Sequence, residues 1–285
     1  MIPYFNHQLE QYYHQHQSQL ECNYPGISLR LLHETLNQLS RSPSPSTLNY
    51  LLNKLQAGVP LAYIVQERYF FSSTFIVTPD VLIPRFESEV LVESAIEVIT
   101  NMCSDSDQPL TVCDVGCGTG AIILSLMVEG PSPIKAVAID IDNSALNVAR
   151  DNLFRLQYKI DSRSSLELHC QDRLANFDHK FHLVVSNPPY IKREEDASQV
   201  HPQVFKHEPH LALFLPDDSY LEWFASFFSQ VYDHLLPGGV FLMEGHERHL
   251  KYFPIMLEKC GFDDIAIMCD LTGQERLIRA QRGTI

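Results

Sequence analysis

The sequence predicts an α/β fold: a mostly parallel sheet with a reversed edge hairpin, preceded by a small helical region. From about residue 86, apolar strand-like runs alternate with longer helical patterns, which is typical of a parallel sheet. The last two predicted strands are joined by residues 271–274 alone, too few for a crossover helix, so this pair must be antiparallel. The seven predicted strands, with helices between the first six, are residues 110–115, 135–140, 166–171, 181–186, 239–244, 264–270 and 275–280.

The N-terminal part of the chain shows a different pattern, because its apolar residues recur at helical spacing. The clearest apolar face comprises Leu29, Leu32, Leu36 and Leu39. We therefore expect a helical domain at residues 1–67, which would recognise a protein substrate. Alternating aromatic and β-branched residues predict a β-hairpin linker at residues 68–84. The domain that contains the sheet then spans residues 85–285.

Composition limits the kinds of protein that this chain can be. It has 285 residues, 45% of them hydrophobic, which is enough for one large or two unequal domains. No apolar run approaches the roughly 18 residues needed to cross a membrane, and the N-terminus lacks the pattern of a secretory signal. Seven cysteines without C-x-x-C spacing favour reduced thiols and a cytoplasmic location. The 13 histidines lack the tight spacing of metal ligands, so no metal site is expected.

The net charge of −14 bears on possible partners. Domains that bind nucleic acid usually carry a basic excess or stripe, whereas the basic pair Lys192 and Arg193 is followed at once by three acidic residues. We therefore expect no nucleic acid partner and no membrane partner. An acidic field would attract a basic protein, although the acidity could equally serve only to keep the protein soluble. We expect the protein to be a monomer.

A glycine-rich turn, G-x-G-x-G at residues 116–120, lies between the first predicted strand and an apolar helical stretch. Glycines allow the backbone to approach a ligand closely, and a helix N-terminus favours a polar or anionic ligand group. The second strand ends in Asp140, about 20 residues further on, where a carboxylate can accept hydrogen bonds from ribose hydroxyls. The pair predicts a nucleoside-containing cofactor without identifying it. The same glycines also fit the G-x-G-x-x-A of a dinucleotide binder, and a turn carboxylate is the alternative for Asp140.

Asn187-Pro188-Pro189-Tyr190 follows the buried strand predicted at residues 181–186. Asn187 offers an amide oxygen, and Pro188, which has no N–H, offers only its carbonyl. Two adjacent acceptors can hold both hydrogens of one NH2 group, and Tyr190 can pack against the flat group that carries it. The segment therefore predicts a site for a planar amino or amide nitrogen. A simple strand-ending turn is the alternative.

The glycine loop, the acidic strand end and Asn-Pro-Pro-Tyr together resemble the S-adenosylmethionine-dependent amino-group methyltransferases. Within that group the chain resembles the PrmC/HemK family, the protein-(glutamine-N5) methyltransferases of peptide chain release factors. The resemblance covers roughly residues 55–285, and three further segments carry it, residues 60–70, 81–89 and 208–213. It implies the class I methyltransferase fold, whose seven-stranded, mostly parallel sheet has a reversed edge hairpin.

The resemblance also implies an activity and a set of site residues. The protein would transfer a methyl group from S-adenosylmethionine (SAM) to the glutamine N5 of the Gly-Gly-Gln motif of release factors, modulating translation termination. S-Adenosylhomocysteine would be the other product. Catalysis would fall to Asn187, Pro188 and Tyr190, and substrate binding to these residues and Pro189. The cofactor would contact Asp114, Gly116, Cys117, Gly118, Thr119, Gly120, Asp140, Ile141, Asp172, Arg173 and Asn187.

Three departures from the family pattern bear on substrate fit rather than on the type of reaction. Phe86 replaces a usual proline, residues 214–216 replace an expected Gly-Gly, and Gly245 lacks the usual preceding isoleucine. Three other functions therefore stay open. They are methylation of N6-adenine or N4-cytosine in nucleic acid, a non-catalytic SAM-binding role in protein interaction, and, more remotely, a dinucleotide-dependent oxidoreductase.

Overall fold

Four helices come first in the chain. The computed structural model describes residues 2–40, 44–103, 109–175, 177–270 and 272–284. The first helices are α1 (Ile2–Asn23), α2 (Leu29–Leu39), α3 (Pro45–Gln56) and α4 (Leu61–Val65). The start of α3 is fixed by a capping box, in which the Ser44 hydroxyl accepts from the Thr47 N–H and the Thr47 hydroxyl accepts from the Ser44 N–H, both at 3.2 Å.

The apolar face predicted from leucine spacing is buried. Leu32 and Leu36 of α2 pack with leucines of α1 and α3 into a core of their own, and Leu29 and Leu39 lie at its margin. Each fully buried leucine contributes roughly 1.5–3 kcal/mol to folding. These helices are therefore held together mainly by the stripe that the sequence shows.

A short antiparallel hairpin follows, formed by β1 (Glu67–Phe70) and β2 (Ser73–Ile76). It is shorter than the predicted residues 68–84, because the chain leaves the ladder after Ile76. Pro79 and Pro84 cannot donate to a ladder, and a turn forms where the Val81 N–H donates to the Thr78 carbonyl at 3.1 Å. The segment beyond the turn packs against the seventh helix instead.

The main sheet has the seven predicted strands, β3 (Leu110–Val115), β4 (Ile134–Asp140), β5 (Ser165–Cys170), β6 (Phe181–Ser186), β9 (Leu235–Glu244), β10 (Phe262–Cys269) and β11 (Glu275–Arg282). Their order in the sheet is β10-β11-β9-β6-β3-β4-β5. The pairs among β9, β6, β3, β4 and β5 are parallel, β11 is antiparallel to β9, and β10 and β11 are antiparallel to each other, as predicted. A separate parallel pair is formed by β7 (Ile191–Lys192) and β8 (Phe214–Leu215).

Helices cover both faces of the sheet. They are α5 (Glu89–Met102), α6 (Ala121–Glu129), α7 (Asn143–Leu156), α8 (Pro202–His207), α9 (Tyr220–His234) and α10 (Phe253–Cys260). Alternate residues of β6 enter different cores: Leu183 packs beneath α5 and α6, whereas Val184 packs into an aromatic cluster with α9 and α10. No helix in the described residues is long and apolar enough to cross a membrane.

Two expectations about the sheet were wrong. Residues 171–175 and 177–180, between β5 and β6, contain no helix; Arg173 adopts a left-handed φ of 52°, which a helix interior does not accept. In addition, β9 begins at Leu235 rather than residue 239. Its pairing with β6 shifts register around Pro237 and Gly238, which the sequence would place in a turn.

Candidate active site

A cavity of about 510 Å³ lies at the carboxyl ends of β3, β4 and β6. This is the edge where ligands bind in open parallel sheets. It brings together most of the residues predicted from sequence, namely Gly116, Cys117, Gly118, Thr119, Asp140, Ile141, Asp172, Arg173, Asn187, Pro188 and Pro189. Asp114, Gly120 and Tyr190 are not among its lining residues. No group of three or more potential metal ligands occurs in the part of the chain that the structure describes.

The glycine loop forms one wall of the cavity with an unusual backbone. Gly116, Gly118 and Gly120 have φ values of 76°, 52° and 74°, a region that side-chain-bearing residues rarely adopt. A Cβ on Gly118 would meet nothing within 4 Å, so the loop surface there is open to a ligand. A Cβ on Gly120 would lie 3.4 Å from the Ala149 Cβ, so this glycine also allows α6 and α7 to pack closely.

The side chains of Asp140 and Asn152 hold the glycine loop by hydrogen bonds to its backbone. Asp140 accepts the Gly118 N–H on Oδ2 at 2.8 Å and the Asp142 N–H on Oδ1 at 2.9 Å. Buried Asn152 donates from Nδ2 to the carbonyls of Thr119 and Ile76, each at 3.0 Å, and so joins the loop to the hairpin. Each Asp140 oxygen retains acceptor capacity for a ribose hydroxyl. Burial raises the pKa of Asp140, and the Asp142 and Gly118 N–H groups oppose that rise.

Asp114 lies behind the loop rather than on the cavity wall. Its side chain is fully buried, and neither carboxylate oxygen has a hydrogen-bond partner among the described residues. Burial raises the pKa of Asp114 to about 7, although the nearby Ile123 N–H at the start of α6 partly opposes this and the Asp140 charge adds to it. Buried carboxylates are normally hydrogen-bonded, so Asp114 is an exception in this structure.

At the other end of the cavity, Asp172 and Arg173 form a paired unit. Arg173 Nε and an amino nitrogen donate to the two Asp172 oxygens at 3.0 and 2.9 Å. The guanidinium also lies 4.8 Å from the ring centroid of Trp223, which lines the cavity and was not predicted. Trp223 is the only tryptophan in the chain. Nothing in the sequence links it to Arg173, because α9 meets this turn only in the folded chain.

The amide of Asn187 is held in a defined orientation. Its Nδ2 donates to Ser88 Oγ at 3.0 Å and to Glu244 Oε2 at 2.9 Å. Those two oxygens lie 2.5 Å apart, so the Nδ2 end of the amide faces both of them and Oδ1 is left as the acceptor for a ligand. Tyr190 donates its hydroxyl to Glu244 Oε1 at 2.9 Å and packs at the margin of the aromatic core. It supports the site from behind instead of lining it.

Glu244 is the functional candidate that the sequence reasoning missed. It ends β9, is 2% exposed, and accepts from Ser88, Asn187 and Tyr190. Burial raises its pKa, whereas the bonds from Ser88 and Tyr190 and the charge of Arg276 oppose this. The available signal was an acidic residue that closes an apolar strand run, residues 240–243, at the ligand-binding edge of the sheet.

A second buried glutamate anchors the opposite wall. Glu208 accepts from Arg85 at 2.5 Å and from the Ile83 N–H at 3.0 Å, so this carboxylate holds the Arg85 guanidinium at the cavity. Glu208 is almost fully buried, which distinguishes this pair from a surface salt bridge. Phe214, Leu215 and Pro216 line the cavity. Phe86, in contrast, is 57% exposed and lies beneath the Arg68 guanidinium. Only the departure at residues 214–216 therefore reaches the cavity.

The sheet order, the glycine loop and the cavity at the strand ends define a methyltransferase of the class I fold. Two comparisons with known proteins agree. A family model, the methyltransferase small domain, matches residues 91–212. The structure of a T. thermophilus 16S rRNA N2 methyltransferase in complex with AdoMet and guanosine aligns with a TM-score of 0.52 at 19% identity. The alignment covers 76% of this chain and 49% of that one, and it supports the fold alone.

Closer relatives define the family. The release factor glutamine methyltransferase of Cereibacter sphaeroides is 35% identical over 225 residues, which cover 79% of this chain and 75% of that protein. The release factor glutamine methyltransferase of Francisella tularensis subsp. tularensis is 30% identical over 263 residues, covering 92% and 88%. The chain belongs to the release factor glutamine methyltransferase family, and it is therefore an enzyme.

Proposed function

We propose that this protein transfers the methyl group of SAM to the side-chain nitrogen N5 of the glutamine in the Gly-Gly-Gln motif of peptide chain release factors. One observation carries the proposal. The NH2 of Asn187 is held by Ser88 and Glu244, which leaves Oδ1 as an acceptor, and Pro188, whose carbonyl would be the second acceptor of a pair, lines the cavity beside it. A primary amide presents the two hydrogens that such a pair can accept. The names of the relatives support this substrate.

The residues around the cavity fit SAM. The unpaired carboxylate of Asp114 would neutralise its ammonium group, directly or through water, and the open glycine loop would lie along its methionine part. Asp140 would accept from the ribose hydroxyls. The adenine would lie near Ile141, Asp172 and the Arg173–Trp223 stack. When bound, SAM supplies an activated methyl group on a sulfonium that leaves readily.

The chain's contribution to the reaction is orientation. An amide nitrogen is planar and weakly nucleophilic, because its lone pair is delocalised into the carbonyl. Asn187 Oδ1 and the Pro188 carbonyl would accept its hydrogens, direct the lone pair at the methyl carbon and raise electron density on the nitrogen. SAM would supply the methyl group and keep the electron pair of the broken S–C bond on its sulfur, so the chain need only orient the nitrogen and let its proton pass to water.

Residues 1–67 would recognise the release factor, residues 68–84 would link them to the enzyme core, and residues 85–285 would carry out the transfer. The contacts of α8 support this division of labour. Gln203 and Lys206 donate to the carbonyls of Gly58 and Ala57 at 2.9 and 3.2 Å, and Glu208 at the end of α8 anchors Arg85 at the cavity. Helix α8 thus connects the N-terminal helices to the part of the cavity that Arg85 lines, so a protein bound to the helices would lie next to that connection.

We also place the protein in the cytoplasm. All seven cysteines are free thiols, and three of them are exposed on the surface. Exposed free thiols are typical of a reducing compartment. The proposal would fail if fractionation found the native protein in an oxidising compartment.

Incubation with radiolabelled SAM tests the activity. Purified protein would receive, in separate reactions, a recombinant release factor, the same factor with its Gly-Gly-Gln glutamine replaced, duplex DNA and single-stranded DNA. We expect label only on the unaltered release factor. Label on DNA would replace the proposal with an amino-group nucleic acid methyltransferase. Cofactor binding without transfer to any of these would favour a non-catalytic role.

A further inference from the structure

We propose that Glu244 is the positioning residue of the acceptor site: its carboxylate fixes the rotation of the Asn187 amide so that Oδ1, and not the NH2, faces the incoming nitrogen. The inference rests on the proposed function, in which Asn187 accepts hydrogens from the target amide. It assigns a role to a residue that would not itself contact substrate or cofactor.

An asparagine needs such a partner because the two ends of its amide have nearly the same shape. In one rotation Asn187 presents an acceptor to the target NH2. In the other it presents a second NH2, and two donors then face each other. Nothing in the Asn-Pro-Pro-Tyr segment alone distinguishes the two rotations. The selection must come from groups behind the amide.

The groups behind Asn187 accept hydrogen bonds from it. Glu244 Oε2 receives Nδ2 at 2.9 Å, and an ionised carboxylate has no hydrogen to donate. Ser88 directs its only hydroxyl hydrogen to the same Oε2 at 2.5 Å, so towards Asn187, at 3.0 Å, it can only accept. A reversed amide would place Oδ1 against two acceptors. Both partners therefore require the rotation that exposes Oδ1.

The strand pairing places Glu244 where it can act on Asn187. Ser186 of β6 pairs with Met243 of β9, so Asn187 and Glu244 are the next residues on neighbouring parallel strands. Glu244 is buried, and Tyr190 holds its other oxygen at 2.9 Å. Because water does not compete there, the carboxylate also polarises the Asn187 amide and strengthens Oδ1 as an acceptor.

The test compares three variants in the release factor methylation assay. Glu244→Gln keeps the size but has one donor end and one acceptor end, so it tolerates both rotations of Asn187. We expect kcat to fall by roughly tenfold or more, with the cofactor Kd and the KM for release factor within about twofold of wild type. Ser88→Ala removes the weaker of the two partners and should lower kcat by a smaller factor. The melting temperature of each variant is measured in parallel.

Asp270→Asn is the matched control, because Asp270 is another buried carboxylate that accepts from the Thr272 and Gln274 N–H groups in the turn between β10 and β11. Its kcat should equal that of wild type. A folded Glu244→Gln enzyme with wild-type kcat would overturn the inference, as would wild-type kcat in Ser88→Ala if Glu244→Gln does not fold. A fall in kcat that follows a loss of cofactor binding and melting temperature would show a structural role and also overturn it. Failure of the wild-type enzyme to label release factor would refute the proposed function instead.

Discussion

The proposed site has two halves that are built in opposite ways: a cofactor half, with Asp114 behind the glycine loop, and an acceptor half, with Asn187 and Glu244. On the cofactor side, the buried carboxylate of Asp114 has no hydrogen-bond partner among the described residues. On the acceptor side, the Asn187 NH2 faces two protein oxygens, and Glu244 accepts three hydrogen bonds. Under the proposed function, the ammonium group of SAM would supply the missing partner in the first half. The second half is already arranged for its ligand by the protein's own side chains.

This difference has a physical reason. An acceptor pair that must orient a weak nucleophile works best when it is fixed before the reaction, because no reorganisation is then needed. A tightly bound cofactor can itself supply the missing charge, so its half can remain unsatisfied in its absence. The unpaired charge of Asp114 lowers the stability of the free protein. Stability is commonly reduced in this way at functional sites.

The largest effect is expected from Asn187→Ala, which removes the acceptor half's central group. We expect kcat to fall by roughly 10²–10³, the range seen when one preorganised group is removed from an active site. The cofactor Kd should change far less than kcat, because Asn187 is one of many expected cofactor contacts, and Asp114 and the glycine loop are untouched. Single-turnover transfer to release factor measures the first quantity and equilibrium dialysis the second.

Asn147→Ala, an exposed asparagine on α7 that does not line the cavity, is the matched control and should behave as wild type. Full activity in Asn187→Ala would remove the basis of the proposed function. Equal loss of activity and of cofactor affinity would show that the two halves are not separable.

Asp114→Asn should have opposite effects on binding and stability. The neutral amide cannot neutralise an ammonium group, so we expect cofactor affinity to fall by roughly tenfold. The free enzyme should become more stable at neutral pH, by on the order of 2 kcal/mol, because a buried unpaired charge is removed. Urea unfolding and cofactor titration of the same preparations measure both, with exposed Asp151→Asn as the control.

The pH dependence of that gain checks its origin. The pKa of Asp114 is raised from 3.8 to about 7 in the folded state. A raised carboxyl pKa means that the folded state holds an extra proton between these values. The contribution of Asp114 to the free energy of unfolding is therefore complete below about pH 4 and is lost as pH rises through about 7. Wild type and Asp114→Asn should differ little at pH 4.5 and most above pH 7. A constant difference across this range would contradict the argument.

A smaller effect is expected from breaking the Arg85–Glu208 pair. Glu208→Gln would weaken the partly buried bond to Arg85 and cost about 1–2 kcal/mol of stability, because a positive charge would lose its counterion. The KM for release factor should rise several-fold while the cofactor Kd is unchanged. The exposed Arg30–Glu34 pair provides the control, since Glu34→Gln should change stability by less than about 0.5 kcal/mol. Equal effects of the two substitutions would refute the anchoring role of Glu208.

The smallest expected effect is a change in the fluorescence of Trp223 when SAM binds. Trp223 is the only tryptophan and lines the end of the cavity proposed for the adenine, so SAM should change its fluorescence with a saturable dependence on concentration. Trp223→Phe should abolish the signal. The Asp114→Asn variant should shift the midpoint without removing the amplitude. A fluorescence change that did not saturate would indicate non-specific quenching and would contradict an adenine site beside Trp223.

The parts of this molecule that could be predicted are contiguous in sequence. The glycine loop, Asp140 and the Asn187 segment each follow a strand, and parallel strands bring their carboxyl ends to one edge. Ser88, Glu244 and Trp223 could not be placed, because they reach the site only through strand pairing and helix packing. The helix expected between β5 and β6 failed for a local reason, the left-handed backbone at Arg173. The fold and the meeting of these segments at one cavity could thus be predicted, whereas the groups that hold Asn187 could not.

The most direct test of the central claim is to map the methylated atom. Release factor treated with SAM and either wild type or Asn187→Ala would be digested and sequenced by mass spectrometry. We predict one methyl group on the side-chain nitrogen of the Gly-Gly-Gln glutamine with wild type, and very little methylation with the variant. A methyl group on any other residue, or equal modification by the two enzymes, would contradict it.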